Sequence, residues 1–288
     1  MDRRYRALER MSAGAAGTTA RDLFFAAGLI YVGWWVINSA LFALFGAGLA
    51  QGDTRLGFVL NMATFAILIG LTARVARALH SRPWPELLGD WSRLRSDFLG
   101  VLIACGLVYA VLIGMGFQPS QAQMRPLSAW LAFLPIALLG IVIQTGAEEL
   151  FFRGYLQQYC ARALKSPYAW MVVPSLIFGV SHALSDTSTA GASLAYIVWT
   201  TCFGLAAADL TARTGSLGAA WGLHMAVNIA ALLIANQDGA PMSAAALYIF
   251  PARAEDYVPS ATIIVIQTLF ELAFLAILWL AARNVIRR

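Results

Sequence analysis

Glu148, Glu149, Arg153, His182, Asp209, His224 and Glu271 all lie within or beside strongly apolar stretches of this chain. The chain has three histidines, and two of them, His182 and His224, are in such stretches. An ionisable group near the centre of a bilayer costs at least about 2.5–3.5 kcal/mol, so its presence there calls for a partner or a purpose. Neighbouring residues of a helix point ~100° apart, so Glu148 and Glu149 face different ways. Glu149 and Arg153 are four apart with the acid first, the better orientation for an ion pair within one helix. Glu148 is then left to face another element. Phe178 and His182 share a face at the same spacing, and so do His224 and Asn228.

Taken singly, each set has a structural reading: an ion pair stapling a helix, or polar glue between helices. Together, a carboxylate, two imidazoles and a carboxamide at overlapping depth form a site that holds water. A carboxylate taken out of water suits a general base, and an imidazole beside it can share or relay the proton. A second imidazole with an amide N–H can stabilise the oxyanion of a tetrahedral intermediate. These are the parts needed for attack of water on a peptide carbonyl. No serine, cysteine or aspartate pair is better placed to act as nucleophile. Cys105, Cys160 and Cys202 are scattered, with no disulfide or CxxC metal spacing, and read as small buried hydrophobes.

The elements that position these groups follow from composition. Of 288 residues, 60% are hydrophobic and 12% charged, with mean hydropathy +0.69. Soluble domains carry about 25% charged residues, so too few are present here to cover a water-facing surface. A span needs about 20 apolar residues, and eight are expected, over 23–50, 57–79, 98–117, 127–152, 168–184, 192–212, 216–236 and 261–282. The fourth should continue as helix toward Leu164. The first apolar run is far longer than a signal peptide's core of about 7–15 residues, so it reads as an uncleaved span. With eight spans both termini share a side. Of the 20 basic residues, all but Arg55, Arg125 and Arg253 then fall on that side, Lys165, Arg287 and Arg288 among them. The positive-inside rule makes it the cytoplasm. The net charge of +5 thus reads as a topology and anionic-lipid signal rather than nucleic-acid binding. The expected fold is all-α and polytopic, with residues 1–22 as a cytoplasmic segment and 23–288 as a single membrane domain. Residues 80–97 should form a short amphipathic helix on the inner leaflet, and 237–260 an outer loop. Asp209 is spaced to pair with Arg213; Glu271, mid-span, has no role assigned by spacing.

The ordered motifs resemble a known family. Glu148-Glu149-x-x-x-Arg153-Gly154 matches EExxxR, Phe178-x-x-x-His182 its second motif, Gly204-Leu205 to Leu217 its third stretch, and His224-x-x-x-Asn228 its fourth. These are hallmarks of the CPBP family of CAAX-processing and bacteriocin-processing endopeptidases, also called the abortive-infection family. The resemblance covers about 127–236 and implies an eight-helix fold with its site inside the membrane, open to the cytoplasm of a bacterial inner membrane. It further implies that Glu148 and His182 activate water, His224 and Asn228 hold the oxyanion, and Glu149 and Arg153 orient the site or engage the substrate's end. Asp209 departs from the apolar or aromatic residue usual there. Members are often labelled metalloproteases. HExxH is lacking here, but Glu148, His182 and His224 could supply a two-His-plus-Glu zinc shell; metal-free activation is preferred. The expected activity is endopeptidase cleavage of a membrane-associated peptide, possible substrates including CAAX-type C-termini. A non-catalytic scaffold or immunity factor of the same fold is the alternative. A proton-relay transporter would favour pseudo-symmetric halves, and none is evident.

Overall fold

The computed structural model describes residues 3–115, 121–164, 166, 168–183, 190–252 and 259–286. Of the basic residues used above, Lys165, Arg253, Arg287 and Arg288 lie outside the described residues, as do the ends of the third and fifth expected spans. The chain folds as an all-α membrane protein. A short helix α1 (Arg6–Met11) precedes α2 (Ala20–Phe45), α3 (Arg55–His80), α4 (Trp84–Leu87) and α5 (Trp91–Gly114). Then come α6 (Leu127–Glu149), a π-helical stretch (Leu150–Gln157) and α7 (Gln158–Ala163), which together form one continuous helix, Leu127–Ala163. The chain ends with α8 (Ala169–Ala183), α9 (Ala190–Thr214), α10 (Gly218–Ile229) with a π turn (Ala230–Ile234), and α11 (Ala261–Val285). Thr19, Thr54, Asp90 and Ser260 start α2, α3, α5 and α11 by accepting a hydrogen bond from a backbone N–H in the first turn.

Six helices among the described residues are long and apolar enough to cross a membrane; two more, Ala169–His182 and Gly218–Ile234, are apolar but shorter. Eight full spans were expected, and the difference has a physical reason. At 1.5 Å per residue the 15 residues of α8 reach only ~22 Å, short of ~30 Å of hydrocarbon. The short helices are walled in by longer ones: Gly218–Ala220 and Gly222–Val227 of α10 are all buried. α8 buries Phe178 and Ser175 and turns Val172, Leu176 and Val180 outward. These two helices carry His182, His224 and Asn228. The fourth helix, by contrast, runs 37 residues, about 55 Å, and so extends well past the hydrocarbon.

Close helix approach near the site needs glycine. A Cβ on Gly204 of α9 would stand 2.8 Å from Cβ of Ser175, and one on Gly179 of α8 would stand 2.1 Å from Oγ1 of Thr201. At one end of the bundle lies a three-stranded sheet of β1 (Gln123–Met124), β2 (Ala235–Gln237) and β3 (Tyr248–Phe250), in the order β1-β3-β2. β1 pairs antiparallel and β2 parallel to β3, with Gln123 opposite Ile249 and Ala235 opposite Tyr248. Arg125 donates to the carbonyls of Ser243 (2.9 Å), Ala244 (2.7 Å) and Ala246 (3.2 Å), and Arg55 to that of Ala129 (3.0 Å). Two of the three arginines of the expected outer side, Arg55 and Arg125, thus have local structural work.

The opposite end is more tightly sealed than the sequence suggested. Leu8, Met11 and Ala15 of the N-terminal segment are buried in the main apolar cluster. Arg82, itself buried, donates to Met11 O (2.8 Å), Glu86 O (3.0 Å) and Gln158 Oε1 (2.7 Å). The amphipathic helix expected over 80–97 shrinks to the four residues of α4. Asp90 caps the next helix, so Trp91 onward already belongs to α5, while Leu87 and Leu88 are buried instead of lying on a leaflet. Asp209 pairs with Arg213 as its spacing predicts, Nε lying 2.8 Å from both carboxylate oxygens. It also accepts from Tyr5 (2.9 Å) and Trp279 (3.1 Å), tying the N-terminal segment, α9 and α11 together.

Candidate active site

Glu148 and Glu149 sit where α6 passes into its π-helical stretch, a departure from i→i+4 bonding often found at functional sites. Both are buried. Glu149 Oε1 accepts from Arg153 Nη1 at 2.9 Å and from His224 Nδ1 at 2.8 Å. The Arg153 guanidinium is enclosed by aromatic faces, 4.8 Å from the Phe178 ring centre and 5.9 Å from those of Phe152 and Phe203, and its Nη2 approaches Gly204 O at 3.5 Å. A cation in so apolar a place is tolerated through its carboxylate and these ring quadrupoles.

His224 joins the two acids. With Nδ1–H given to Glu149, its Nε2 lies 3.6 Å from Glu148 Oε2. His224 thus stands between the two acids, one ring nitrogen toward each. One turn along, Asn228 Nδ2 donates to Gln144 Oε1 at 2.7 Å. Gln144 and Glu148 are i,i+4 on α6, and His224 and Asn228 are i,i+4 on α10. The two antiparallel helices therefore meet along two polar rungs, 148 with 224 and 144 with 228. Trp221 Nε1 donates to Thr145 Oγ1 (3.0 Å) and locks the same contact from the side.

His182 enters from α8. Its Nδ1 donates to the Phe178 carbonyl at 2.7 Å, which makes Nε2 the nitrogen that faces outward from its own helix. Phe178 touches both imidazoles, with ring centres 4.3 Å from His182 and 6.0 Å from His224. Contacts thus link Glu148, Glu149, Arg153, Phe178, His182 and His224, while Asn228 pairs with Gln144 one turn along. Glu148 approaches His224, and His182 reaches the same region through Phe178. Gln144 and Phe203 were missed, although Gln144 repeats the four-residue spacing that singled out the other groups. Glu271 stands apart from the cluster and accepts from Gln267 Nε2 at 3.0 Å.

The alternative zinc set fits poorly. Among the described residues no three His, Cys, Asp or Glu side chains converge closely enough to hold a metal ion, so Glu148, His182 and His224 as placed do not form a zinc shell.

A family model described as Rce1-like, type II CAAX prenyl endopeptidase, matches residues 126–230. Over these residues the chain is similar to the Rce1-like family. The match starts just before α6 and ends at the close of α10, so it takes in every polar contact of the cluster. An uncharacterized protein, YyaK of Bacillus subtilis (strain 168), is 33% identical over 149 residues, which are 50% of this chain and 48% of that protein. The chain thus spans about half the length of this curated relative. No solved structure matches. The Rce1-like segment is framed by α2, α3, α5 and α11, which lie outside the match.

Proposed function

We propose that this chain is an intramembrane endopeptidase that cuts a membrane-associated peptide, of CAAX type, by attack of water activated at Glu148. The observation that supports it is the buried Glu149–His224–Glu148 arrangement: a carboxylate presented to an imidazole whose other nitrogen is already fixed by a second acid. Fixing Nδ1 in this way sets the ring's orientation and leaves Nε2 for the reaction, as the aspartate does in hydrolase triads.

In this reading Glu148, assisted by His182, takes a proton from water while the water oxygen bonds to the scissile carbonyl carbon. The oxyanion is held by Asn228, which has one amide N–H left after Gln144, and by Nε2–H of His224 in its imidazolium form. Collapse breaks the C–N bond, the proton held by Glu148 passes to the leaving amine, and the new acid gives up its own proton to that amine, leaving a shortened peptide that ends in a carboxylate and a released fragment that begins with an ammonium group. Glu149 and Arg153 orient His224. Water activation needs no metal here. The charge bias supports a cytoplasmic side for both termini, and in this reading the site opens to that side of a bacterial inner membrane. The partners are the lipid bilayer and a membrane-associated peptide, with no nucleic acid.

The test is reconstitution into liposomes with a prenylated CAAX peptide in oxygen-18 water, read by mass spectrometry. The expected result is a shortened product whose new carboxylate carries one labelled oxygen. Intact peptide after long incubation would remove the CAAX substrate class.

A further inference from the structure

Gln144 touches neither water nor peptide in the mechanism, yet it is polar, 7% exposed and set in an apolar run of α6. Its Oε1 accepts from Asn228 Nδ2 at 2.7 Å, the short end of the N–H···O range. Other contacts already fix α6 against α10. Trp221 Nε1 donates to Thr145 Oγ1 (3.0 Å), and Thr145 gives its own proton to the Ile141 carbonyl (2.7 Å). A Cβ on Gly146 would stand 2.8 Å from Cζ2 of Trp221, so the helices meet closely there. His224 Nδ1 donates to Glu149 at 2.8 Å on the next turn. The two helices are thus held without Gln144. What its carbonyl oxygen adds is the orientation of one side chain.

We infer that Gln144 is a positioning residue for Asn228, accepting one amide N–H so that the second is left for the oxyanion. A carboxamide has a donor end and an acceptor end of nearly equal size, and half a turn about χ2 exchanges them. Facing an oxyanion, the N–H end attracts and the carbonyl end repels. Oε1 of Gln144 is an acceptor and is met only by the donor end. An amide that lost this contact could turn Nδ2 back to the His224 carbonyl, one turn earlier on its own helix, a local bond open to asparagine. The spacing serves the same purpose. Residues 144 and 148 are one turn apart on α6, so one helix face carries both the base and the group that orients the oxyanion donor. The catalytic consequence rests on the hydrolytic reading; the orientation of the amide does not.

The experiment uses the full chain in detergent micelles with nitrogen-15-labelled asparagine, the Asn228 carboxamide being assigned with Asn228→Ala. Gln144→Met keeps an unbranched side chain of similar length and removes the carbonyl acceptor. The expected result is that the bonded amide proton of Asn228 moves upfield in Q144M while the other asparagine carboxamides stay. Gln144→Leu reproduces the change. In the cleavage assay, Q144M is expected to lower kcat about 10-fold, the lower end of the range for loss of a group that orients a functional side chain, with KM unchanged. In the N228A background the same substitution should cost nothing more, because Gln144 acts through Asn228. An unmoved Asn228 amide in Q144M, or a further 10-fold loss on top of N228A, overturns the inference. Failure is assignable. Full cleavage by Glu148→Gln condemns the hydrolytic reading and leaves the amide spectrum to decide on Gln144. An inactive E148Q beside an unmoved amide in Q144M condemns Gln144 alone.

Discussion

Glu149 is the group whose removal should cost the fold most, because it neutralises Arg153 and orients His224 with the same oxygen. Its side chain is fully buried and that of Arg153 is 2% exposed. Glu149→Gln keeps the shape and one acceptor but deletes the charge. The guanidinium is then left with the Gly204 carbonyl at 3.5 Å and the faces of Phe178, Phe152 and Phe203. Breaking a buried pair by removing one partner costs about 3–5 kcal/mol, since it strands an uncompensated charge. At 1.4 kcal/mol per decade this is on the order of 10²- to 10⁴-fold in the folded-to-unfolded ratio. Titration with sodium dodecyl sulfate in mixed micelles, followed by tryptophan fluorescence, reads the change. The double variant Glu149→Leu/Arg153→Met leaves no stranded charge and should recover much of the loss. Arg21→Ala removes half of an exposed pair, its side chain 89% exposed, and should change nothing measurable. A Glu149→Gln protein within about 1 kcal/mol of wild type, the range of exposed pairs, would refute the claim that this cluster is an electrostatic unit.

Other consequences can be checked alongside. Asn228→Ala should lower kcat by about 10²–10³, the effect of deleting one oxyanion donor, and leave KM and unfolding little changed; steady-state kinetics and the same denaturation assay separate these. Dialysis against a strong chelator should leave turnover intact, whereas loss restored by added zinc would show that the ligands close around a metal after all. Green fluorescent protein fused after Arg288 should fluoresce and alkaline phosphatase at the same place should stay inactive, because the basic residues cluster on the side of both termini.

Much of this architecture is legible in the sequence because lipid leaves few choices. Apolar runs must be helices, and charges placed inside them must find one another. That is why Glu149–Arg153 and Asp209–Arg213 could be read from spacing alone. What could not be read depends on rotation and packing between helices. The spacing of His224 and Asn228 gives their shared face but not their partners, which turn out to be both glutamates and Gln144. Glutamine carries no charge, so Gln144 raised no alarm in an apolar run. The 80–97 segment misled because alternating tryptophan, leucine and arginine suit an interfacial helix equally well. Buried Leu87, Leu88 and Arg82 show that the protein itself supplies the apolar surface.

Glu148→Gln exchanges one carboxylate oxygen for an amide nitrogen on a side chain that stands 3.6 Å from His224 Nε2, so it should fold as the wild type does. Turnover of a prenylated CAAX peptide by that purified variant, beside wild type in the same liposomes, is therefore the most direct measurement. A general base supplies about 10²- to 10⁴-fold, and a drop of at least that size with unfolding unchanged is the predicted result. Cleavage at the wild-type rate would mean that water is activated elsewhere, and that the two polar rungs hold helices together without doing chemistry.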